Sequence, residues 1–456
     1  MSRTFRRADY EATLDVTVRL GDVLPPGHLA RYIVDVVAQL DLGSVYARYG
    51  RRGGQPYAPE MLLGLLMYGY ATGVFSTRKV EQATYESAPF RYLAGNLHPD
   101  HDTLANFRKA FLPELKGLFV QILLLAHVAG LMKLGTISLD GTKLHADAAK
   151  SKAVSYGRLV AMEAHLQAEV EELFALGDRA DAEDWPEGLV VETEVAFQKA
   201  WLVRLAEAKA ILEARAHERD VVEAAAYEAK LRERAERANA TGRCPGGKAP
   251  QPPILGPRAT DQYNFTDPES RIMKQSTSQG FEQDDNAQVA VDQGSLLIVG
   301  TSLSNHPNDH AEAEPTLAAI PPELGTPAAA TLDAGYFGPA TLEALAQRGI
   351  EPYIATGRDP HHPSWKERFA AEPAPPPIDA TPAVQMAYKL KTALGRAIYG
   401  ARKSTVEPVI GIIKEVLGFR QFSLRGRAAA AGEWCLVCLA FNCKRLHTLS
   451  RASLCL

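Results

Sequence analysis

Between about residue 150 and residue 238 the chain is long, charged and rich in Ala, Glu, Leu and Arg, as in Leu159 to Leu173 and Glu192 to Arg237. That composition predicts a helical hairpin. The flanking segments differ in kind. Upstream, Thr136 to Asp140 is a β-branched, apolar run ending at an acid followed by Gly141, read as a strand leading into a turn. Downstream, Asn286 to Asp292 alternates, and after Gly294 a second run extends from Leu296 to Leu303, two strands around a tight turn. Ala328 to Asp333 is a further strand ending in an acid, Pro339 to Gln347 a helix, and Ile350 to Thr356 a short strand. The order strand, helical arm, hairpin, strand, helix, strand, helices predicts an α/β fold. Its sheet has mixed strand directions and carries a long helical insertion after the first strand.

Before the first strand, residues from about 10 to 130 read as helical throughout. Pro59 opens an apolar helix, Ser76 or Thr77 caps a second, and Asp102 or Thr103 caps a third. In the third, Leu104, Phe107 and Phe111 share one face, which leaves Asn106, Arg108 and Lys109 outside. Three short helices with a basic last one fit a helix-turn-helix-like DNA reader; a plain bundle with a solvated face fits the same spacing. The expected division is a helical N-terminal DNA-binding domain over 1–130 and an α/β domain over 131–456, interrupted by the 150–238 arm.

With 456 residues, 46% of them hydrophobic, the chain can bury a large core, and a net charge of −4 says nothing about a polyanion partner. The distribution says more. From Lys389 to Arg451 there are twelve Lys or Arg against three Glu, a pattern suited to a phosphate-facing surface, although a solvated basic face is the commoner meaning of a charge run. The basic start is not followed by the apolar run of a signal peptide, and no stretch is long enough to span a bilayer. Leu118 to Leu131 reads as a buried helix, and Pro360 to Pro382 as a Pro-rich surface connection. Five cysteines argue against a disulfide framework and for a reducing cytosol. Cys435, Cys438, Cys443 and His447 have a zinc-like spacing, but they lie in an apolar helical run without the turns of a zinc knuckle. Packing in a core is the better reading.

The chemistry concentrates in three acids. If the strands ending at Asp140 and Asp333 are neighbours, their carboxylates converge at one end of the sheet, where ligand sites of α/β folds lie. Glu407 stands among cations between Tyr399 and Lys414, and Lys414 falls two helical turns later on the same face. Three carboxylates suit hard divalent cations, and two such ions about 3.5–4 Å apart serve phosphoryl transfer. Each acid has a structural reading too: turn residues for Asp140 and Asp333, and a capping box from Ser404 for Glu407. A cap does not require Lys414; a phosphate site would use it. Arg271 and Lys274, in the polar segment from Thr266, either touch DNA or form surface ion pairs. The His/Asp cluster from Asn305 to His310 hints at a metal but is read as a loop.

Taken in order, these segments resemble a known family. Tyr57 to Leu63, Asp102 to Arg108, Leu139 to Leu144, Thr266 to Lys274, Asn286 to Asp292, Asp333 to Phe337 and the Glu407 segment with its Arg425-Gly426 and Glu433-Trp434 tail are similar to bacterial insertion-sequence DDE transposases with an InsH-like (DUF772) N-terminal domain. The resemblance implies an RNase H-like catalytic domain in which Asp140, Asp333 and Glu407 bind two Mg²⁺, with Mn²⁺ as a substitute. It matches Tyr399, Arg402, Glu407 and Lys414 to the family's Tyr-Arg-Glu-Lys signature. Four residues separate Arg402 from Glu407, where the pattern has three. Arg402 and Lys414 are expected to contact phosphate. The partners implied are DNA, as terminal inverted repeats and as target, and a second copy in a synaptic homodimer. The place of action implied is the bacterial cytoplasm at the nucleoid, with no membrane. A transposase-derived DNA-binding protein without catalysis, and an RNase H-like nuclease without joining, are the other readings.

Overall fold

The computed structural model describes residues 19–49, 56–177, 190–243, 246–275, 280–357, 373–377 and 379–453. The basic start, most of the Pro360–Pro382 connection, Cys244 and Cys455 lie outside the described residues. Helices come first: α1 (Leu20–Val23), α2 (Leu29–Val37), α3 (Gly43–Tyr46), α4 (Pro59–Thr72), α5 (Thr77–Glu86), α6 (Ala88–Leu93), α7 (His101–Ala110) and α8 (Leu112–Val128). In α4, Pro59 sits in the first turn, where its missing N–H leaves no bond unmade, and the helix is buried on most faces. It stops at Gly73, whose φ is +83° and where a Cβ would lie 2.7 Å from the Leu417 carbonyl oxygen. Only glycine suits both conditions.

The N-terminal cap of α7 is Asp100, which accepts from the Thr103 N–H, rather than Asp102 or Thr103. Asp100 is the acid three residues before a free N–H, the separation a cap side chain spans. On the same helix Asn106 and Lys109 are exposed, but Arg108 is buried, which corrects the expectation that it points outward. It lies one turn after Leu104 and so shares the core-facing stripe.

The rest of the chain builds one six-stranded sheet with helices on it. Its strands are β1 (Thr136–His145), β4 (Arg271–Lys274), β5 (Phe281–Asp292), β6 (Ile298–Ser304), β7 (Ala329–Leu332) and β8 (Glu351–Ile354), while β2 (Ala153–Ser155) and β3 (Gln262–Asn264) pair separately. Across the sheet the order is β6, β5, β1, β7, β8, with β4 on the same edge of β5 as β6. β5 runs antiparallel to β1, and β7 and β8 run parallel to it. This is the RNase H-like arrangement. Asp140 does not end its strand: β1 continues to His145 because β5 keeps pairing with it as far as Asp284.

Between β2 and β3 stands the arm, α9 (Tyr156–Gly177) and α10 (Val191–Thr241). Leu159, Leu205, Ala208 and Leu212 form a small core of their own with Val154 at its root. After β6 come α11 (Ala313–Ala318), α12 (Pro339–Gln347), α13 (Pro382–Lys391), α14 (Ala393–Gly400), α15 (Val406–Gly411) and α16 (Arg427–Ser453). The last helix joins the two parts of the molecule. It packs on β6 on one side and on α4 and α8 on the other, so the N-terminal helices and the sheet share one hydrophobic core. Its Trp434 donates to the Gln288 carbonyl, and its Asn442 side chain pairs with both backbone groups of Ile298. Cys435, Cys438 and Cys443 are buried along it, and burial pushes the Cys435 and Cys443 thiols up to about 12. Among the described residues no single helix is long and apolar enough to cross a membrane.

Candidate active site

The register of β1 against β7 brings the two aspartates together. Ser138 pairs with Thr331, so Asp140 and Asp333, each two residues further on, come side by side where the parallel pairing ends. Asp333 is exposed and bonds the Ala334 N–H, as a turn-forming aspartate does. Asp140 accepts from the Gly141 N–H and is mostly covered.

Glu407 enters from α15, in the second position of the helix. The Ser404 hydroxyl donates to the Ala401 carbonyl instead of capping, so no capping box forms. Pro408 follows inside the first turn, where it removes no helical hydrogen bond. Beyond Gly411 the helix widens into a π-helical turn, Ile412–Val416, and Lys414 folds back over β1. Its Nζ donates to Thr142 Oγ1 at 3.0 Å and to the Lys143 carbonyl at 3.2 Å, two or three residues past Asp140.

A buried layer of hydroxyls stitches these elements together. The Thr331 hydroxyl donates to Ser138 Oγ at 2.8 Å, and Ser138 Oγ lies 2.9 Å from Thr405 Oγ1. The Gln293 amide donates to Ser138 as well, at 3.0 Å. All three hydroxyl residues are buried, and each precedes one of the acids by two positions: Ser138 and Asp140, Thr331 and Asp333, Thr405 and Glu407. Sequence reasoning missed this layer, since Ser and Thr at these positions carry no signal until the strands are aligned.

One cation stands between the acids. Arg402 lies 2.9 Å from Asp140 Oδ2 and 3.6 Å from Glu407 Oε1, and its buried Nε has no hydrogen-bond partner among the described residues. Burial alone would lower the Arg402 value, but the charges of Asp140 and Asp333 outweigh it and raise it. Burial pushes the Asp140 carboxyl up to about 6, with Asp333 and Asp309 adding to the effect and Arg402 and the Gly141 N–H opposing it. Tyr399, at the end of α14, is near enough to influence the same guanidinium. Carboxylate oxygens suit a hard divalent ion, and two of the acids already share a positive charge. Among the described residues no three acidic, His or Cys side chains are grouped to hold a metal.

Three expected contacts are not in this cluster. Asn106 and Lys109 belong to the N-terminal helices, and Lys274 is exposed at the end of β4, where its carbonyl accepts from Lys143. Arg271, read either as a DNA contact or as a surface ion pair, forms no ion pair among the described residues. It is half-buried, and its Nη1 donates to the carbonyls of Pro268, Glu269 and Ser270, so it closes its own turn. The neighbouring acids are structural as well: Asp267 accepts the Gly426 N–H and Glu269 the Arg427 N–H at the start of α16.

An RNase H-like sheet with two aspartates abreast, one on β1 and one just past β7, is the scaffold of a nucleic-acid phosphoryl transferase. Comparison with protein families agrees. The transposase domain (DUF772) model matches residues 18–110, and the transposase DDE domain model matches residues 274–443. The chain belongs to the DDE transposases of insertion sequences, those with a DUF772 N-terminal region. No curated protein and no solved structure matches it significantly. The DDE match includes Asp333 and Glu407 but starts after Asp140, so the pairing of β1 with β7 is what joins Asp140 to them.

Proposed function

We propose that this transposase binds the terminal inverted repeats of its own element and performs both metal-dependent strand cleavage and strand transfer, with Asp140, Asp333 and Glu407 as the metal ligands. The observation that carries the reading is the register of β1 and β7, which sets two carboxylates abreast beside a third that shares a cation with the first. When bound, a pair of Mg²⁺ (Mn²⁺ as a substitute) would activate the attacking oxygen and stabilise the leaving one. The hydroxyl layer beneath keeps the three carboxylates in fixed relation, which such chemistry needs.

Arg402 has to leave Asp140 and Glu407 for a metal to enter, and a DNA phosphate is the partner a released guanidinium takes up. Tyr399 lies beside it. Lys414 is fixed on Thr142 and also lines a groove of about 800 Å³, with Lys143, His145, Lys150 and Arg420 alongside Glu282 and Glu415, and Arg420 pairs with Glu415. That basic groove suits the backbone of a DNA strand leading away from the acids. Water first attacks a phosphodiester at the element end, forming one P–O bond and breaking another, and a 3′-hydroxyl leaves. That hydroxyl then attacks a phosphodiester of target DNA in the same way. The N-terminal helices, through exposed Asn106 and Lys109, contribute recognition, and a homodimer holds two ends in synapsis. The protein acts at the nucleoid in the cytoplasm.

The test uses a labelled element end, taken from the inverted repeats flanking the reading frame, with Mg²⁺. Asp333→Asn should abolish cleavage and joining while end binding persists. Unchanged cleavage would refute the assignment, and cleavage without joining in the parent protein would favour a nuclease.

A further inference from the structure

Most cations around the acids already have partners. Lys389 pairs with Glu351, Arg402 with Asp140, Arg420 with Glu415 and Arg425 with Asp147, while Lys414 is held on Thr142. Arg396 and Lys403 differ. Both are exposed, and neither forms an ion pair among the described residues. They lie on one stretch of chain, α14 continued by the 3₁₀ turn Ala401–Ser404, the same turn that delivers Arg402 to the acids.

Helical spacing separates the two sides of this stretch. Gly395 and Arg402 are buried, and Gly395 packs so closely on the Lys389 carbonyl that no Cβ fits there. Arg396, Gly400 and Lys403 follow at intervals of four and three and are all exposed, so they share the outer side. A Cβ on Gly400 would meet nothing within 4 Å, so among the described residues no neighbour covers the space between the two cations. At about 1.5 Å of rise per α-helical residue and about 2.0 Å per 3₁₀ residue, Arg396 and Lys403 stand roughly 12 Å apart. Such a span lets them address different phosphates of a duplex, which follow every ~3.4 Å along each strand.

The position of this side relative to the groove decides which DNA it faces. The N-terminal helices, the proposed readers of the element end, adjoin the groove. Phe75 packs edge-on to Phe419 with ring centroids 5.1 Å apart, and Gly73 backs onto Leu417, next to the groove-lining Arg420. An end gripped there enters by the groove. In contrast, α14 packs on β8, at the edge of the sheet farthest from β6, on which α16 anchors the N-terminal helices. The acids stand between the two edges, on β1 and just past β7.

We propose that the outer side of Arg396, Gly400 and Lys403 binds the phosphate backbone of target DNA, which meets the acids from the edge opposite the element end. The inference rests on the reading of the chain as a cleaving and joining transposase. Two exposed cations about a bare glycine offer phosphate contact and no base readout, which suits a duplex taken for its backbone.

The experiment uses the full-length protein and follows three quantities: cleavage of an uncut element end, joining of a pre-cleaved end to plasmid DNA, and the salt dependence of binding to a non-specific duplex. The double variant Arg396→Ala, Lys403→Ala should lower joining about tenfold, keep cleavage within about twofold, and reduce the salt slope by about two. Gly400→Glu sets a negative charge between the cations without altering them. Gly400 has φ −60° and ψ −31°, helical values open to any residue, so the fold is kept and the same split between joining and cleavage is expected. Parental joining in both variants overturns the proposal. Equal losses of cleavage and joining overturn it too, because they place the element's own DNA on this side. A parent that cleaves and joins, with a double variant of unchanged salt slope, refutes this surface alone. A parent that does neither refutes the transposase reading, and the target role falls with it.

Discussion

Arg108 and Glu433 offer a quantitative test of how the N-terminal helices meet the sheet. Glu433 of α16 is fully buried; its Oε1 accepts from the hydroxyls of Tyr70 and Ser423, and its Oε2 from the N–H groups of Ser423 and Leu424. Arg108 of α7 lies 3.6 Å from Oε1 and donates to the Tyr70 hydroxyl at 2.8 Å. Glu433→Ala leaves a buried guanidinium without its counter-charge and two backbone donors without acceptors. Breaking such a pair from one side costs about 3–5 kcal/mol, and each orphaned donor about 1–3 kcal/mol. At about 2 cal/mol/K per residue, the unfolding entropy of a chain this long is about 1 kcal/mol/K, so the melting temperature should fall by roughly 5 °C or more. Glu433→Gln keeps the shape and loses the charge, and should cost about half as much. The double variant Arg108→Met, Glu433→Gln should be less destabilised than the two single changes added together, by about 1.5 kcal/mol or more. Thermal unfolding by circular dichroism reads the parent and all four variants. A melting temperature for Glu433→Ala within about 1 °C of the parent would refute the argument. So would an Arg108→Met protein of parental stability that has lost DNA affinity, since that is the behaviour of a DNA reader.

Other outcomes follow from the same geometry. Lys109→Ala should weaken binding to element ends and reduce the salt dependence of the affinity by about one unit of slope in fluorescence anisotropy, as the loss of one phosphate contact does; an unchanged slope removes α7 from the interface. A Cβ on Gly141 would fall 2.2 Å from Gln288 Nε2 and 2.8 Å from Asp309 Oδ1, so Gly141→Ala should destabilise the protein by about 1–3 kcal/mol in urea unfolding; parental stability would mean that these side chains move aside freely. Thr405→Val removes the hydroxyl that meets Ser138 and should cost about 1 kcal/mol while lowering kcat more than end affinity; parental kcat would deny the hydroxyl layer a role in positioning. Burial, followed by the charges of Asp267 and Asp284, pushes the Asp285 carboxyl up from 3.8 to about 7. The folded protein therefore holds that proton more tightly than the unfolded chain does. The contribution is complete below pH 4 and is lost as the pH rises through about 7, amounting to about 3–5 kcal/mol. Asp285→Asn should raise the melting temperature at pH 8.5 and leave it almost unchanged at pH 4; equal shifts at both would show that charge is not the cause.

Local patterns in the chain were enough for the main order of elements, though not for the short strands β2, β3 and β4, and they drew attention to the three acids. Alternation marked β5 and β6, the Ala, Glu, Leu and Arg content marked α9 and α10, and Asp-Gly and Asp-Ala-Gly drew attention to Asp140 and Asp333. These signals are short-range, carried by residues within one or two turns of each other. Local signals misled where two readings share one pattern. Asp140 followed by glycine looks like a strand end, yet β1 continues, because what a glycine permits depends on the side chain lying opposite, here Gln288. Arg108 looked solvent-facing because a lone arginine flanking an apolar stripe usually is; its counter-charge, Glu433, is 325 positions away. Arg271 read either as a DNA contact or as a surface ion pair, and its Nη1 bonds the carbonyls of its own turn.

What the tertiary structure alone decided are the relations between distant segments: the pairing of Ser138 with Thr331 that sets two aspartates abreast, the hydroxyl layer beneath the acids, the guanidinium between two of them, and the buried amides of Asn286 and Gln288 that hold Asp309. Their physical reason is common to all. Hydrogen bonds and ion pairs act over a few ångströms, whereas the groups that form them here lie from 5 to 267 residues apart along the chain. By itself the sequence singled out the acids proposed to carry the chemistry; packing determined which of the groups around them meet.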